Sequence, residues 1–178
     1  MRTIQWDTVF FGLIIGVFII ANGEGMAMEL KSTAFGNAEF IPSKHTGEGP
    51  DVSPQLAWSD VPQATKSFAL ICDDPDAPMG DWVHWVIYDI PAESRSLEEN
   101  IPEATTIAGG IKQGKNNFGR SGYGGPMPPP GKPHRYFFKL YALDTMLNLP
   151  AGLTKQGLLK AMEGHVLEQA QLMGKYKR

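Results

Sequence analysis

Residues 73–85 read DDPDAPMGDWVHW, four carboxylates, two prolines, two tryptophans and one histidine in a single short run. Three chemistries suit such a run: acid/base catalysis, metal ligation, or the wall of a pocket that binds without reacting. Pro75 biases Asp74 away from the α region and Pro78 does the same to Ala77. The spacing therefore predicts an extended, stiff Asp74-Pro-Asp-Ala-Pro78 segment that presents Asp74 and Asp76 together at a sheet edge. Two such carboxylates raise at least one pKa, because both cannot ionise cheaply. A carboxyl that keeps its proton donates to an anion, and one that loses it accepts from an amine. Asp-Pro dipeptides also open turns without any site being involved. His84 and His134, each on a strand among aromatic residues, are as isolated residues more usually satisfied core histidines than ligands.

Metal ligation by Asp74, Asp76, His84 and His134 requires three or four of them within about 2 Å of one ion, and no paired-histidine spacing supports it. Nucleophilic catalysis lacks a nucleophile. Cys72, the only cysteine, falls in a buried apolar run, and Gly119-Arg-Ser-Gly122 is a poor match to a G-x-S-x-G turn. A glycosidase-type carboxylate pair needs a separation of at least about 5 Å across a cleft, and nothing else in the chain indicates one. Binding without turnover fits these residues best.

The elements that must position them are mostly strands. Lys66-Ser-Phe-Ala-Leu-Ile-Cys72 is a near-continuous apolar run, the pattern of a strand buried on both faces. Residues 81–89 alternate as a second strand, with Trp82, His84, Val86 and Tyr88 on one face and Val83, Trp85 and Ile87 on the other. Residues 134–143 form a third, with His134, Tyr136, Phe138, Leu140 and Ala142 on one face and Arg135 and Lys139 opposite. Between the last two lies a long Gly/Pro-rich stretch over residues 109–133. Its Phe118, Tyr123 and Met127 supply apolar anchors for an ordered, pocket-forming loop. Thr154 caps a short helix carrying Leu158, Leu159 and Met162, and Gly164 ends it. The tail HVLEQAQLMGKYKR fits either continued helix or a last strand.

The chain has 178 residues, with 20 glycines, 14 prolines and a formal net charge of −3. That length supports one domain with a real core, over residues 28–178. The scattered glycine and proline indicate a turn-rich β architecture, and the absence of a basic face argues against nucleic acid as a partner. One cysteine excludes an internal disulfide. Residues 1–27 differ in kind. Val9 to Ala21 is an apolar run too short to span a bilayer and of signal-peptide length, with small residues after it. This reading makes the protein periplasmic or secreted. A start at Met26 or Met28 would make it cytoplasmic, and an uncleaved anchor is the third option.

Several blocks occur in a recognisable order: Asp74-Pro-Asp-Ala-Pro78, Trp82-x-His84-Trp-Val-x-Tyr-Asp-Ile-Pro91, Gly122-Tyr-Gly-Gly-Pro126, Pro128-Pro-Pro-Gly131 and His134-Arg-Tyr136. Ile41-Pro42, Ser53-Pro-x-Leu-x-Trp58, Leu140-Tyr-Ala-Leu-Asp144 and Gly164-His-Val-Leu167 accompany them. Together they resemble the signature blocks of the phosphatidylethanolamine-binding proteins, most closely the bacterial Raf-kinase-inhibitor-like branch. The resemblance implies a mostly β, β-sandwich-like fold with a long pocket loop and a short C-terminal helix. It also implies a pocket for phosphate, phosphoryl head groups or similar anions at Asp74, Pro75, Asp76, Trp82, His84, Gly124, Gly125, Pro126, His134 and Tyr136. Glycine there would let backbone N–H groups approach an anion closely, and the two histidines would donate to it. No cofactor is implied. A kinase or protease as protein target, and a homodimer, are expectations by analogy; hydrolysis by the Asp–His cluster is the weakest reading. The chain departs from the family pattern in three places. Gly47 and Met127 stand where many relatives carry cysteine, and Asn117 stands where aspartate is usual.

Overall fold

The computed structural model describes residues 26–178; the leader lies largely outside them. Eight strands and one helix follow in order: β1 Glu29–Lys31, β2 Leu56–Ser59, β3 Ser67–Asp74, β4 Trp82–Pro91, β5 Ser96–Leu97, β6 Lys112–Gln113, β7 His134–Leu143, α1 Lys155–Met162 and β8 Val166–Tyr176. They form a three-stranded sheet, β1-β2-β5, and a five-stranded sheet, β6-β4-β3-β7-β8, with every pair antiparallel. The C-terminal tail is thus a strand. Its eleven residues run beside β7 for nearly the whole length of both, so pairing overrides any helical tendency.

β3 is central in the larger sheet and buried at every position. The reason is that both faces of the sheet are covered. On one face Phe68, Leu70 and Cys72 join Trp85, Tyr136, Phe138 and Leu140 against Leu30, Leu56, Trp58 and Leu97 of the smaller sheet. This interior between two sheets makes the architecture a β-sandwich. On the other face Ala69 and Ile71 join Val83, Val86, Tyr88 and Tyr141 under Leu158 and Met162 of α1. The Thr154 hydroxyl accepts from the Gly157 N–H to cap that helix, and Gly164 takes a left-handed turn beyond it. Leu159 sits on the helix's exposed side.

The alternation expected of β4 breaks at His84. Cys72 pairs with Trp85 while the next residue, Asp73, pairs with Val83, leaving His84 as an extra residue in a β-bulge. Val83 consequently packs under α1 with Val86 and Tyr88, and Trp85 and Ile87 face the sandwich interior. The expected grouping of Val83 with Trp85 is therefore wrong, because an inserted residue shifts every side chain before it to the other face.

Asp73 and Asp74 leave the end of β3 on opposite faces. Asp73, fully buried, accepts from Lys139 Nζ of β7 at 2.8 Å and from Lys155 Nζ of α1 at 2.6 Å. Lys155 also pairs with Asp81 at the mouth of β4. This cluster ties α1 to the sheet. Removing the buried carboxylate leaves Lys139 without its anion and Lys155 with Asp81 alone, and breaking a buried pair costs about 3 kcal/mol or more. Asp73→Ala is expected to lower stability by about that amount, read as a reduced urea midpoint at unchanged slope. Thr154→Ala is expected to cost about 1 kcal/mol in the same assay.

Candidate functional site

The ends of β3, β4 and β7 open on one cavity of about 330 Å³, lined by Asp74, Ala77, Pro78, Met79, Trp82, His84, Phe118, Met127, Pro128, Pro129, His134 and Tyr136. Five of the ten residues predicted for the pocket, Asp74, Trp82, His84, His134 and Tyr136, line it directly. The other five, Pro75, Asp76, Gly124, Gly125 and Pro126, are not part of its lining. Residues 75–76 turn rather than extend, because the Asp76 N–H donates to Asp74 Oδ1 at 2.8 Å. That turn swings Asp76 outward, where its carboxylate accepts from the Arg135 guanidinium at 2.7 and 2.9 Å. The raised carboxyl pKa expected of the pair is not found at Asp76. The hydrogen bonds from Arg135 hold the Asp76 carboxyl below its ordinary value.

Asp74 takes the opposite direction, into the site. Its Oδ2 lies 2.8 Å from His134 Nδ1. A carboxylate can only accept, so His134 donates through Nδ1 and leaves Nε2 for the cavity. His84 is arranged alike. Its Nδ1 lies 2.5 Å from the Gly124 carbonyl, and that oxygen too can only accept, which places the lone pair of the neutral ring on Nε2. Burial lowers the His84 pKa, against smaller raising effects of the Gly124 bond and of Asp74, Asp51 and Asp73. His84 is accordingly neutral at physiological pH.

Tyr136 completes the floor, its ring 5.1 Å from that of His84 in an edge-on contact. The Tyr136 hydroxyl is buried and has no hydrogen-bond partner. Burial, then the charge of Asp74, push its phenol well up, so it is a neutral donor. Such an orphaned donor is rare in a protein interior and calls for an explanation. Above the floor the walls are apolar. Phe118 meets Trp82 and His84 edge-on at 5.6 and 5.4 Å. Phe118 and Met127 were expected as apolar anchors of a pocket-forming loop, and both line the cavity. They stay largely exposed and form the rim with Met79, and Tyr123 alone of the three is buried, donating to the His45 carbonyl.

Gly124 and Gly125 serve a different purpose from the one expected. Their N–H groups are already occupied, Gly124 by the His84 carbonyl at 3.0 Å and Gly125 by Asp51 Oδ1 at 2.7 Å. Neither is free to meet an anion. Glycine is needed here for closeness: a Cβ on Gly124 would lie 2.6 Å from the Phe118 ring, and one on Gly125 would lie 2.4 Å from the His45 carbonyl oxygen. Pro126 accepts from the Gly47 N–H at 3.0 Å and holds the adjoining loop. Asp51, which the sequence does not mark, fixes the Gly125 amide and accepts from Arg120 at 2.9 Å. It thereby places the Gly124 carbonyl that orients His84.

The family departures have structural counterparts. A Cβ on Gly47 would lie 2.9 Å from Met127 Sδ, so the methionine fills the space between two touching loops. Asn117 accepts from the Val83 N–H through its side chain at 3.0 Å, and its own N–H donates to the Val83 carbonyl at 2.9 Å. An aspartate could accept the same bond while adding charge near the cavity. The residues missed from the pocket are Ala77, Pro78, Met79, Phe118, Met127, Pro128 and Pro129. The first three belong to the opening run, and apolar side chains in a Gly/Pro-rich loop were the available signal for the rest.

Among the described residues no group of three His, Cys, Asp or Glu side chains is placed to hold a metal ion. Burial pushes the Cys72 thiol well above its ordinary pKa, which removes it as a nucleophile.

Residues 31–177 match the family model described as phosphatidylethanolamine-binding protein. A UPF0098 protein of Methanothermobacter thermautotrophicus is 54% identical over 151 residues, covering 85% of this chain and 99% of the relative. A UPF0098 protein of Aquifex aeolicus is 49% identical over 169 residues, covering 94% and 98%. The crystal structure of CT736 from Chlamydia trachomatis, described as a putative phosphatidylethanolamine-binding protein homolog, superposes with a TM-score of 0.78 at 41% identity, over 85% of this chain and 98% of that one. The E. coli YbcL structure, described as a new member of the mammalian PEBP family, gives 0.79 at 34% identity with the same coverage. With the family model spanning the sandwich and every element of the cavity, this chain belongs to the phosphatidylethanolamine-binding protein family.

Proposed function

We propose that this protein binds, without turning it over, a small ligand carrying an anionic or phosphoryl group. One observation carries the reading: the Tyr136 hydroxyl is buried without a partner beside two histidines whose Nδ1 atoms are fixed inward and whose Nε2 atoms are left to the cavity. A tetrahedral phosphoryl group offers acceptor oxygens to the phenol and to a ring protonated at Nε2, and a P–O–H donor to a ring that presents a lone pair there. These hydrogen bonds gain strength inside apolar walls that exclude water. The Met79, Phe118 and Met127 rim then covers whatever apolar portion the ligand carries. The same rim supports a second reading, inhibition of a kinase or protease docked over the mouth. Met79 is 88% exposed and Met127 52%, and flexible thioethers suit an adaptable contact.

On the binding reading, His84→Ala or His134→Ala weakens phosphate binding by about 1.5–3 kcal/mol, the range for hydrogen bonds to charged groups. Titration calorimetry checks this, and wild-type affinity in both variants would place the site elsewhere. Affinity for a permanently charged sulfonate is expected to depend on pH through His84. Burial lowers its pKa in the free protein, and an anion at Nε2 raises it in the complex. Binding is therefore strongest below the free value, under about 6.5, and weakens as pH rises from there to the bound value. A flat profile across the histidine range would show that the rings do not exchange a proton with the ligand's arrival.

A further inference from the structure

We infer that the cavity selects an oxyanion that brings its own proton, such as hydrogenphosphate or a singly protonated phosphate monoester, over sulfate, sulfonates and phosphodiesters. This rests on the binding reading above and names its ligand class. The Gly124 carbonyl can only accept, so the proton of the neutral His84 ring sits on Nδ1 and the cavity is offered a lone pair at Nε2. An unprotonated oxyanion would meet that lone pair with another, which is repulsive. A P–O–H group donates to it instead, while its remaining oxygens accept from Tyr136, whose hydroxyl has no protein partner.

The charged surroundings favour the same choice. Around His84 stand Asp74 at the end of β3, Asp51 behind Gly125 and Asp73 across the sheet, with Tyr136 of β7 neutral. Asp74 Oδ1 accepts from the Asp76 N–H and Oδ2 lies 2.8 Å from His134 Nδ1, and its charge acts on the Tyr136 phenol too. Arg120 is spent on Asp51 and Glu103, and Arg135 on Asp76. No lining residue is a lysine or arginine. A wall with a fixed carboxylate and no such cation disfavours excess negative charge. Sharing a proton lowers the ligand's charge and supplies the missing donor together.

The test is a titration of the full-length chain with inorganic phosphate, sulfate and methanesulfonate at pH 7, followed by the ring signals of His84 and His134. Sulfate and methanesulfonate carry no proton at that pH and bracket phosphate in charge. Phosphate is expected to bind at least tenfold more tightly than either, about 1.4 kcal/mol. The gap is expected to narrow as pH falls through the histidine range and His84 gains a proton of its own. In His84→Gln, whose amide can turn an N–H to the ligand, the ratio also narrows. Equal affinities at pH 7, or an unchanged ratio in His84→Gln, would overturn the inference while leaving anion binding intact. No saturable shift with any of the three ions at any pH would retire the binding reading and this inference with it.

Discussion

Asp73 and Asp74 are neighbours at the end of a strand with no exposed residue, so their carboxylates must leave on opposite faces of one sheet. Much of the molecule follows from this constraint. On one face Asp73 draws in Lys139 and Lys155 and so seats α1. On the other, Asp74 orients His134 and turns the chain outward through the Asp76 amide. A one-residue slip of β3 would turn Asp74 toward the helix face and Asp73 toward the site, so that neither kept its present partners. The full pairing of β3 with both β4 and β7 makes such a slip costly. A site built on the central strand of a sheet inherits the rigidity of the core.

The second constraint is the bulge. Without the extra residue at His84, a strict alternation could not hold Trp85 and Ile87 in the sandwich interior while turning Val83 under α1. The bulge lets His84 reach the loop at residues 114–133, where Gly124 both donates to its carbonyl and accepts from its ring. The loop in turn covers the opening of β4, through Asn117 against Val83 and Gly114 against Val86. An edge that would otherwise offer unpaired N–H and C=O groups is thereby closed. Loop and strand define the site jointly, and neither places His84 alone.

How much of this the sequence discloses differs by feature, for physical reasons. β3 and β7 are legible because an unbroken apolar run and a clean alternation each have one structural reading. The helix is legible from its cap and glycine stop. The bulge is not, because it depends on how β4 pairs with β3 and leaves no mark in the alternation of β4 itself. The turn at residues 75–76 was one of two outcomes open to Asp-Pro, and a single amide, that of Asp76, decides it. Asp51 is least legible of all, since its partners are an amide 74 positions away and an arginine 69 positions away. The block order does reveal five of the cavity residues, but not that the other five of the ten lie outside its lining.

The glycines show why such distinctions matter to chemistry. A glycine-rich turn beside a cavity suggests backbone donors waiting for an anion, yet here both amides are consumed in holding the loop. On the proposed binding reading, polar recognition falls to three side chains: one phenol that can donate, one histidine paired with a carboxylate, and one neutral histidine whose Nε2 can only accept. Such a set differs from a generic anion hole made of donors. It asks for an acceptor and a donor on the same ligand, a pattern phosphorus acids satisfy near neutral pH and sulfur acids do not. Apolar walls sharpen that demand, because a mismatched lone pair there has no water to relieve it.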